Sequence, residues 1–473
     1  MFKKEVILLF LIIILAFVLR LYRIDSPVAD WHSWRQADTS AVSRNFVKFG
    51  FDLLHPRFDD LSNIPSGRDN PMGYRFVEFP IYNFVHAGLF KILPVFSLEV
   101  WGRLTSIFSS LLSLIFLYLI AKKYLGVRMA LLSSFFSAAL PYNIYFSRVI
   151  LPEPMMVTLF LGMIYFFDKN YYLLSAIFAA SAILVKPYAI FLFLPLAYLA
   201  WRKFSWEIFR QFSLYLYSKK SFAYILISLL PFILWRFWIS QYPEGIPAFG
   251  WLLNGDSIRF KGAFFWWIFA ERIGKLILGI WGLPLLLLGI LVKPKKEGWF
   301  FHFWFLAILA YLATFATGNV RHDYYQILII PTICIFLAKG TEFLLTEGKK
   351  IFNTYTCYLI LATCYLFLFA FSWYQVRDFF NVNHPEIVET GKVADQLLPK
   401  EAKVIAPYGG DTAFLYQINR QGWPIGFEIE KKIKMGATHY VTVNFDDEAK
   451  ELEKKYKVLK KTDKYEIIEF LSK

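Results

Sequence analysis

Apolar runs of about twenty residues recur along the first four-fifths of this chain, each bounded by charged or turn-forming residues. A run of that length is what a helix needs to cross the hydrocarbon core of a bilayer. Inside that core every backbone N–H and C=O must be satisfied within the protein, which leaves helices as the spanning element for such a pattern. The composition agrees: 57% of the 473 residues are hydrophobic and the mean hydropathy is +0.45, more apolar than an average soluble domain. Phe (51), Tyr (28) and Trp (15) suit lipid-facing helices and interfacial belts. The sequence therefore predicts a polytopic α-helical membrane protein of about eleven transmembrane helices, multi-pass in a cell (inner or plasma) membrane, with membrane lipids as its surroundings.

Loop charges orient the spans. The first run, about Val6 to Tyr22, follows Lys3 and Lys4, which places the N-terminus in the cytoplasm. The opening resembles a signal peptide, but Leu19-Arg20-Leu21-Tyr22-Arg23 closes the run without a small-residue cleavage site, so it reads as a retained span. A long first external loop, 23-99, follows. Further spans end at Lys122-Lys123, at Phe146 and at Asp168-Lys169; a paired hairpin turns at Lys186-Pro187. The 201–220 loop, with Arg202, Lys203, Arg210, Lys219 and Lys220, reads as cytoplasmic, as do Lys293–Lys296 and Lys349-Lys350. The loop carrying Trp251, Asp256, Arg259 and Lys261 and the stretch from Thr317 to Gln326 read as external. The net charge of +15 sits mainly in these loops, which accounts for it without a nucleic-acid partner. Cys334, Cys357 and Cys364 all fall in apolar runs and show neither metal-ligand spacing nor a disulfide framework.

From about Asn383 the composition changes, with basic and acidic residues balanced at about fifteen each. Glu386 to Leu398 and Asp446 to Tyr456 have helical patterns; Lys403–Ala406, His439–Val443 and Tyr465–Phe470 alternate as strands. The expected division is 1-382 transmembrane and 383-473 a small soluble extracytoplasmic α/β domain. Gly409-Gly410-Asp411 lacks a G-x-G-x-x-G fingerprint and reads as a turn.

The stretch Asp30-Trp31-His32-Ser33-Trp34-Arg35-Gln36-Ala37-Asp38-Thr39 stands out just after the first span. If 36–49 is helical, Val42, Phe46 and Phe49 share one face, and stepping back along it reaches Asp38 and Arg35. Ionised groups on an apolar face are costly unless paired or used. The bland reading is an Arg35–Asp38 ion pair; the sharp one is a reaction centre at the lipid–water boundary. Glu78, Glu153, Lys186, Arg321, His322, Tyr324 and Tyr325 also fall at external span ends. Each has a plain alternative. Glu78 could cap a helix, Glu153 could favour a helix N-terminus, Lys186 could snorkel to the interface, Arg321 could meet lipid phosphate, and His322 could be structural. Their gathering on one side is less easily explained by a lipid-linked sugar transporter or flippase, which favours broken helices and polar groups at mid-membrane. A non-catalytic scaffold with an outer binding domain is a further reading.

The first external loop, Glu78-Phe-Pro80, the stretch Arg148 to Pro154, Lys186-Pro187 and His322-Asp-Tyr-Tyr-Gln326 resemble the landmarks of the GT-C type glycosyltransferases. The resemblance is to the broad group that includes protein O-mannosyltransferases and lipid A aminoarabinose transferases. It covers the membrane part, about 380 residues, and the trailing soluble domain fits it as well. Those families carry an acidic pair in the first loop; here Trp34-Arg35-Gln36 stands in that place, with Asp38 about one turn later, so the catalytic carboxylate is Asp38 or Asp30. The resemblance implies a GT-C-like fold and transfer of a sugar from a polyprenyl-phosphate-linked donor to a glycan, lipid or protein acceptor on the extracytoplasmic side. An Asp would act as general base, and Arg35, Lys186, Arg321 and His322 would bind the donor phosphate. Glu78, Glu153, Tyr324 and Tyr325 would contact substrate. Some members of the group bind a divalent metal ion and some do not; Glu78 and His322 are the candidate ligands.

Overall fold

The computed structural model describes residues 4–203 and 219–472. Arg210 and Lys3 lie outside the described residues, as do the side chains of Lys219 and Lys220. The chain divides into two compact units: Met1–Tyr22 with Leu104–Leu234 and Phe249–Asp378, and Arg23–Arg103 with Trp235–Ala248 and Phe379–Lys473. The C-terminal segment set apart by its composition thus shares a unit with the first loop.

The first unit is helical. It contains α1 (Lys4–Arg20), most of α4 (Leu98–Leu125), α5 (Val127–Ala139), α6 (Pro141–Phe146), α7 (Glu153–Asp168) and α8 (Tyr172–Val185), followed by further helices to Val376. Among the described residues, four helices are long and apolar enough to cross a membrane: Leu98–Leu125, Ser221–Ile239, Asp323–Lys350 and Thr354–Leu397. Eleven spans would require the shorter and interrupted apolar helices to cross as well.

Several apolar runs are broken, each for a local reason; the break at Lys186-Pro187 falls where the hairpin turn is expected, and the others do not. The run from Met129 to Phe146 parts at Leu140, because Pro141 has no N–H for the carbonyl of Ser137. That carbonyl is taken instead by Asn143 Nδ2 (2.6 Å) and Arg20 Nη2 (3.1 Å). Arg20 also donates to the Ala138 carbonyl (3.0 Å), to Ala16 (2.9 Å) and to Ser147 Oγ (2.7 Å), so one buried guanidinium ties α1 to the break. α8 stops at Lys186, whose extended backbone (φ −150°) is the conformation a following proline imposes; a 3₁₀ turn, Pro187–Leu192, comes next. The apolar stretch that precedes Lys293–Lys296 is a wide π-type helix, Trp266–Ile277, then a separate helix, Leu283–Leu291.

The second unit carries a five-stranded sheet in the order β2-β1-β3-β5-β4. Its strands are β1 (Val404–Ile405), β2 (Gly422–Trp423), β3 (His439–Thr442), β4 (Tyr456–Lys461) and β5 (Glu466–Ser472). β1 pairs in parallel with β2 and β3, whereas β5 pairs antiparallel with β3 and β4. The strands at 404, 439 and 466 and the helices Pro385–Leu397 and Asp447–Lys455 are those the pattern predicts; β2 and β4 are additions. The first loop extends the sheet at its β2 edge: Leu61 N donates to Gly422 O and Gly422 N to Asp59 O, each at 2.8 Å. Leu61 then joins Ile405, Trp423, Tyr440 and Ile468 in the core.

In the first unit, Leu283–Leu291 and Ile330–Thr346 approach to backbone contact. A Cβ on Gly289 would lie 1.8 Å from Phe336 O, and one on Gly340 1.9 Å from Leu285 O. Small residues permit this packing where lipid supplies no hydrophobic drive between helices. Gly340→Ala is therefore expected to destabilise the detergent-solubilised protein by about 1–3 kcal/mol, read as a lower melting midpoint; Gly88→Ala, with open space at its Cβ, serves as the control.

Candidate functional site

α2 (Ser33–Phe49) is the helix that the Trp34–Thr39 stretch forms, and it is buried on almost every side. Val42 and Phe46 are buried as their spacing predicts, but Phe49 at the C-terminal end is exposed. Ser33, Gln36, Thr39, Ser40, Ser43 and Asn45 are buried too, so α2 is not the amphipathic helix expected from the pattern. A neighbouring helix meets part of this polar surface: Asn83 Nδ2 on α3 (Ile81–Ile92) donates to Thr39 O at 2.6 Å and to Ser43 Oγ at 3.2 Å.

The expected Arg35–Asp38 pair does not form, because each residue has a partner from elsewhere in the first loop. Arg35 Nη2 donates to both carboxylate oxygens of Glu78, at 2.8 and 3.0 Å. Asp38 Oδ2 accepts from Arg75 Nη2 at 2.5 Å, and Asp38 Oδ1 accepts from Thr412 Oγ1 at 2.7 Å. Glu78 consequently does not cap α3, whose N-cap is Pro80. The two ion pairs lie side by side: Arg35, Asp38, Arg75 and Glu78 line one recess with Thr39 and Asn83. Asp30 does not line it. Its Oδ1 accepts from Gln36 Nε2 at 2.6 Å and its carbonyl from Ser33 N, at the start of α2.

Two further carboxyls surround Asp38. Burial pushes the carboxyl of Asp60 up to about 6, against the hydrogen bonds it takes from Ser62, and the charge of Asp38 adds to the shift. Burial likewise pushes Asp411 up to about 6, and again Asp38 contributes.

In the first unit, Glu153 begins α7 and Lys186 follows α8; their side chains meet at 2.8 Å, both buried. Lys186 therefore does not snorkel. Tyr188 reaches Glu153 at 3.5 Å and its ring packs on Tyr311 and Tyr325, with centroids 5.1 and 6.0 Å away. His322 stacks on Tyr324 and Tyr325 and meets Trp251 edge-on. Arg321 is 58% exposed in its side chain and 3.5 Å from Asp256, so it stands apart from the buried group. The structure thus gathers Glu153, Lys186 and Tyr325 in one unit and Arg35, Asp38 and Glu78 in the other.

Arg75, Thr412, Tyr188 and Tyr311 escaped the sequence reading. Arg75 alone carried a signal, as a cation three residues before Glu78 in an aromatic segment. Among the described residues no group of three or more His, Cys, Asp or Glu side chains is placed to hold a metal ion. Glu78 is engaged by Arg35, and His322 sits among aromatic rings. The donor set does not fit a metal centre built on these two residues.

A family model described as dolichyl-phosphate-mannose-protein mannosyltransferase matches residues 77–235. A crystal structure of ArnT from Cupriavidus metallidurans bound to undecaprenyl phosphate superposes with a TM-score of 0.69 at 13% identity, covering 98% of this chain and 97% of that one. The chain has the fold of the GT-C glycosyltransferases. The same ArnT in its apo state gives a TM-score of 0.65 at 12% identity, over 98% and 97% of the two chains. An Archaeoglobus fulgidus oligosaccharyltransferase tethered to an acceptor peptide containing the NVT sequon gives 0.56 at 11% identity, covering 93% of this chain and 69% of that one. No curated protein matches this GT-C chain in sequence. The fold bears out the expected resemblance. The break at Lys186 falls at the expected hairpin turn, whereas the break at Leu140 lies inside a span expected to be continuous.

The raised carboxyl of Asp60 has a consequence for stability. Its folded value lies above the usual 3.8, so the fold holds the proton that the unfolded chain releases. The contribution of this group to stability is greatest below pH 4, falls between about pH 4 and 6, and is level above. Asp60→Asn keeps an acceptor for the Ser62 N–H while removing the charge. It is expected to raise stability at pH 7.5 by about 1–3 kcal/mol and to lessen the pH 4–6 dependence of the melting midpoint, leaving the part due to Asp411.

Proposed function

We propose that this protein is a glycosyltransferase that moves a sugar from a polyprenyl-phosphate carrier to an acceptor hydroxyl on the extracytoplasmic side of the membrane. The observation that carries the reading is the recess in which Asp38 and Glu78 stand between Arg35 and Arg75, on a chain with the GT-C fold. The structural neighbours, one bound to undecaprenyl phosphate and one tethered to an acceptor peptide, support a lipid-linked donor and an external acceptor.

In this reading Asp38 is the general base. It lines the recess, whereas Asp30 is occupied at the start of α2. Asp38 takes the proton of the acceptor hydroxyl as that oxygen bonds to the anomeric carbon. The bond from that carbon to the phosphate oxygen breaks through an oxocarbenium-like state, and the carrier leaves as polyprenyl phosphate. The departing phosphate needs cations. Lys186 is the leading candidate, since it is buried beside an aromatic group and paired with Glu153; Arg35, Arg321 and His322 are the others. Guanidinium groups suit phosphate through their paired donors. Glu78, Glu153, Tyr324 and Tyr325 would line the sugar and acceptor path. The N-terminus is cytoplasmic and the 383-473 segment extracytoplasmic in this scheme.

The test uses the full chain in nanodiscs with radiolabelled undecaprenyl-phosphate hexoses and pentoses and a membrane extract as acceptor source. Wild type is expected to transfer one of these sugars; Asp38→Asn is expected to lose at least about 100-fold in kcat while folding normally. Full activity in that variant would remove Asp38 from the chemistry and promote Asp30. Lys186→Gln is expected to raise the KM for the donor about 10-fold, with Lys186→Arg milder; unchanged donor affinity in the Gln variant would discard the phosphate role. Movement of labelled lipid across the membrane without transfer would instead favour a flippase.

A further inference from the structure

The carboxylate assigned as base is held by two donors, and neither lies on its own helix. Asp38 is buried, with Arg75 Nη2 on one oxygen and Thr412 Oγ1 on the other. Arg75 comes from the first loop, where its N–H bonds Pro56 O at 2.8 Å and its guanidinium lies 4.7 Å from the Phe58 ring centroid. Thr412 belongs to the C-terminal segment, 374 residues away in sequence.

The backbone around Thr412 is braced on both sides. Before it, the N–H groups of Tyr408 and Gly410 both bond Pro424 O at 3.0 Å, with Gly409 and Gly410 supplying the positive φ angles of the turn. After it, Asp411 Oδ1 accepts at 2.7 Å from the N–H of Ala413, the first residue of the helix Ala413–Ile418. That helix is fastened to α2 by Arg44, which donates to Tyr416 O at 2.8 Å and lies over the Tyr416 ring at 4.2 Å. A hydroxyl on such a support can fix the carboxylate's rotation, which a lone ion pair to a long arginine side chain does not.

We propose that Thr412 is a positioning residue for Asp38, so that the C-terminal segment is an integral part of the base rather than a cover for the site or a separate binding module. The inference rests on the reading of Asp38 as base. Its consequence is chemical: with Oδ1 on Thr412 and Oδ2 on Arg75, each oxygen keeps a lone pair, and the acceptor hydroxyl that enters the recess lined by Asp38 meets a carboxylate of one orientation. Misplacement of a reacting group by about 1 Å can cost about 100-fold in rate.

The experiment separates the hydroxyl from the shape. Valine copies the outline of threonine without the donor, and serine keeps the donor without the methyl group. In the nanodisc assay, with the undecaprenyl-phosphate sugar that wild type consumes, Thr412→Val is expected to lose about 10–100-fold in kcat with the donor KM unchanged. Thr412→Ser is expected to stay within about 3-fold of wild type in kcat. A valine variant as active as wild type overturns the proposal, and so does a serine variant as damaged as valine, since packing alone would give that pattern. If valine does not purify monodisperse, Thr412→Ala takes its place; failure of both marks Thr412 as a packing residue and overturns the proposal. Asp38→Asn run in parallel keeps the two claims apart. A fully active Asn variant removes the base reading and this inference with it, whereas an inactive Asn variant beside an active Val variant removes this inference alone.

Discussion

An ionised side chain taken out of water must bring its counter-charge with it, and that requirement shapes both units of this protein. Lys186 with Glu153 and Lys339 with Glu297 are buried pairs, and Arg35 with Glu78 and Arg75 with Asp38 are largely buried ones. Burying either member alone costs several kcal/mol. Each pair therefore acts as a constraint on chain path. The segment with Arg75 and Glu78 has to run beside α2, and the start of α7 has to sit beside the end of α8. Such pairs add little net stability against apolar replacements, so their use is easier to understand as placement of reactive groups than as glue.

Prolines do the complementary work on the backbone. Pro141 and Pro187 interrupt helices, and each interruption leaves polar groups that must be satisfied. At Pro141 the freed carbonyl is answered by Asn143 and by Arg20 from another helix. At Pro187 the extended residue before the ring is Lys186 itself, so the break that ends α8 also turns a cation toward Glu153. Sequence position and proposed chemistry coincide there: the residue that proline forces out of the helix is the one proposed to meet the phosphate.

Much of this was legible in the residues. The long apolar runs, the change of composition near Asn383 and the strands at 404, 439 and 466 follow from periodicity and turn chemistry alone. Asp38, Arg35, Glu78, Glu153 and Lys186 could be singled out because a charged residue in an apolar context is rare. What the residues misstated was the partnership. Arg35 and Asp38 lie within one turn, and local reasoning pairs them; the structure gives each a closer partner from a distant segment. The short strands β2 and β4 were missed because β2 offers only Gly422 and Trp423, and β4 is Lys-rich, with little alternation to read.

The sequence by itself determined that the chain is helical, apolar and sparing with its buried charges, since those properties depend on spacing and composition within about twenty residues. Only the tertiary structure decided which charges meet. An ion pair needs two groups within about 3 Å, and nothing in a linear order states which remote carboxylate will answer a given cation. It took the folded chain to bring Thr412 to Asp38 across 374 residues, because that contact depends on an extended first loop joining the edge of a C-terminal sheet, which neither segment's pattern announces.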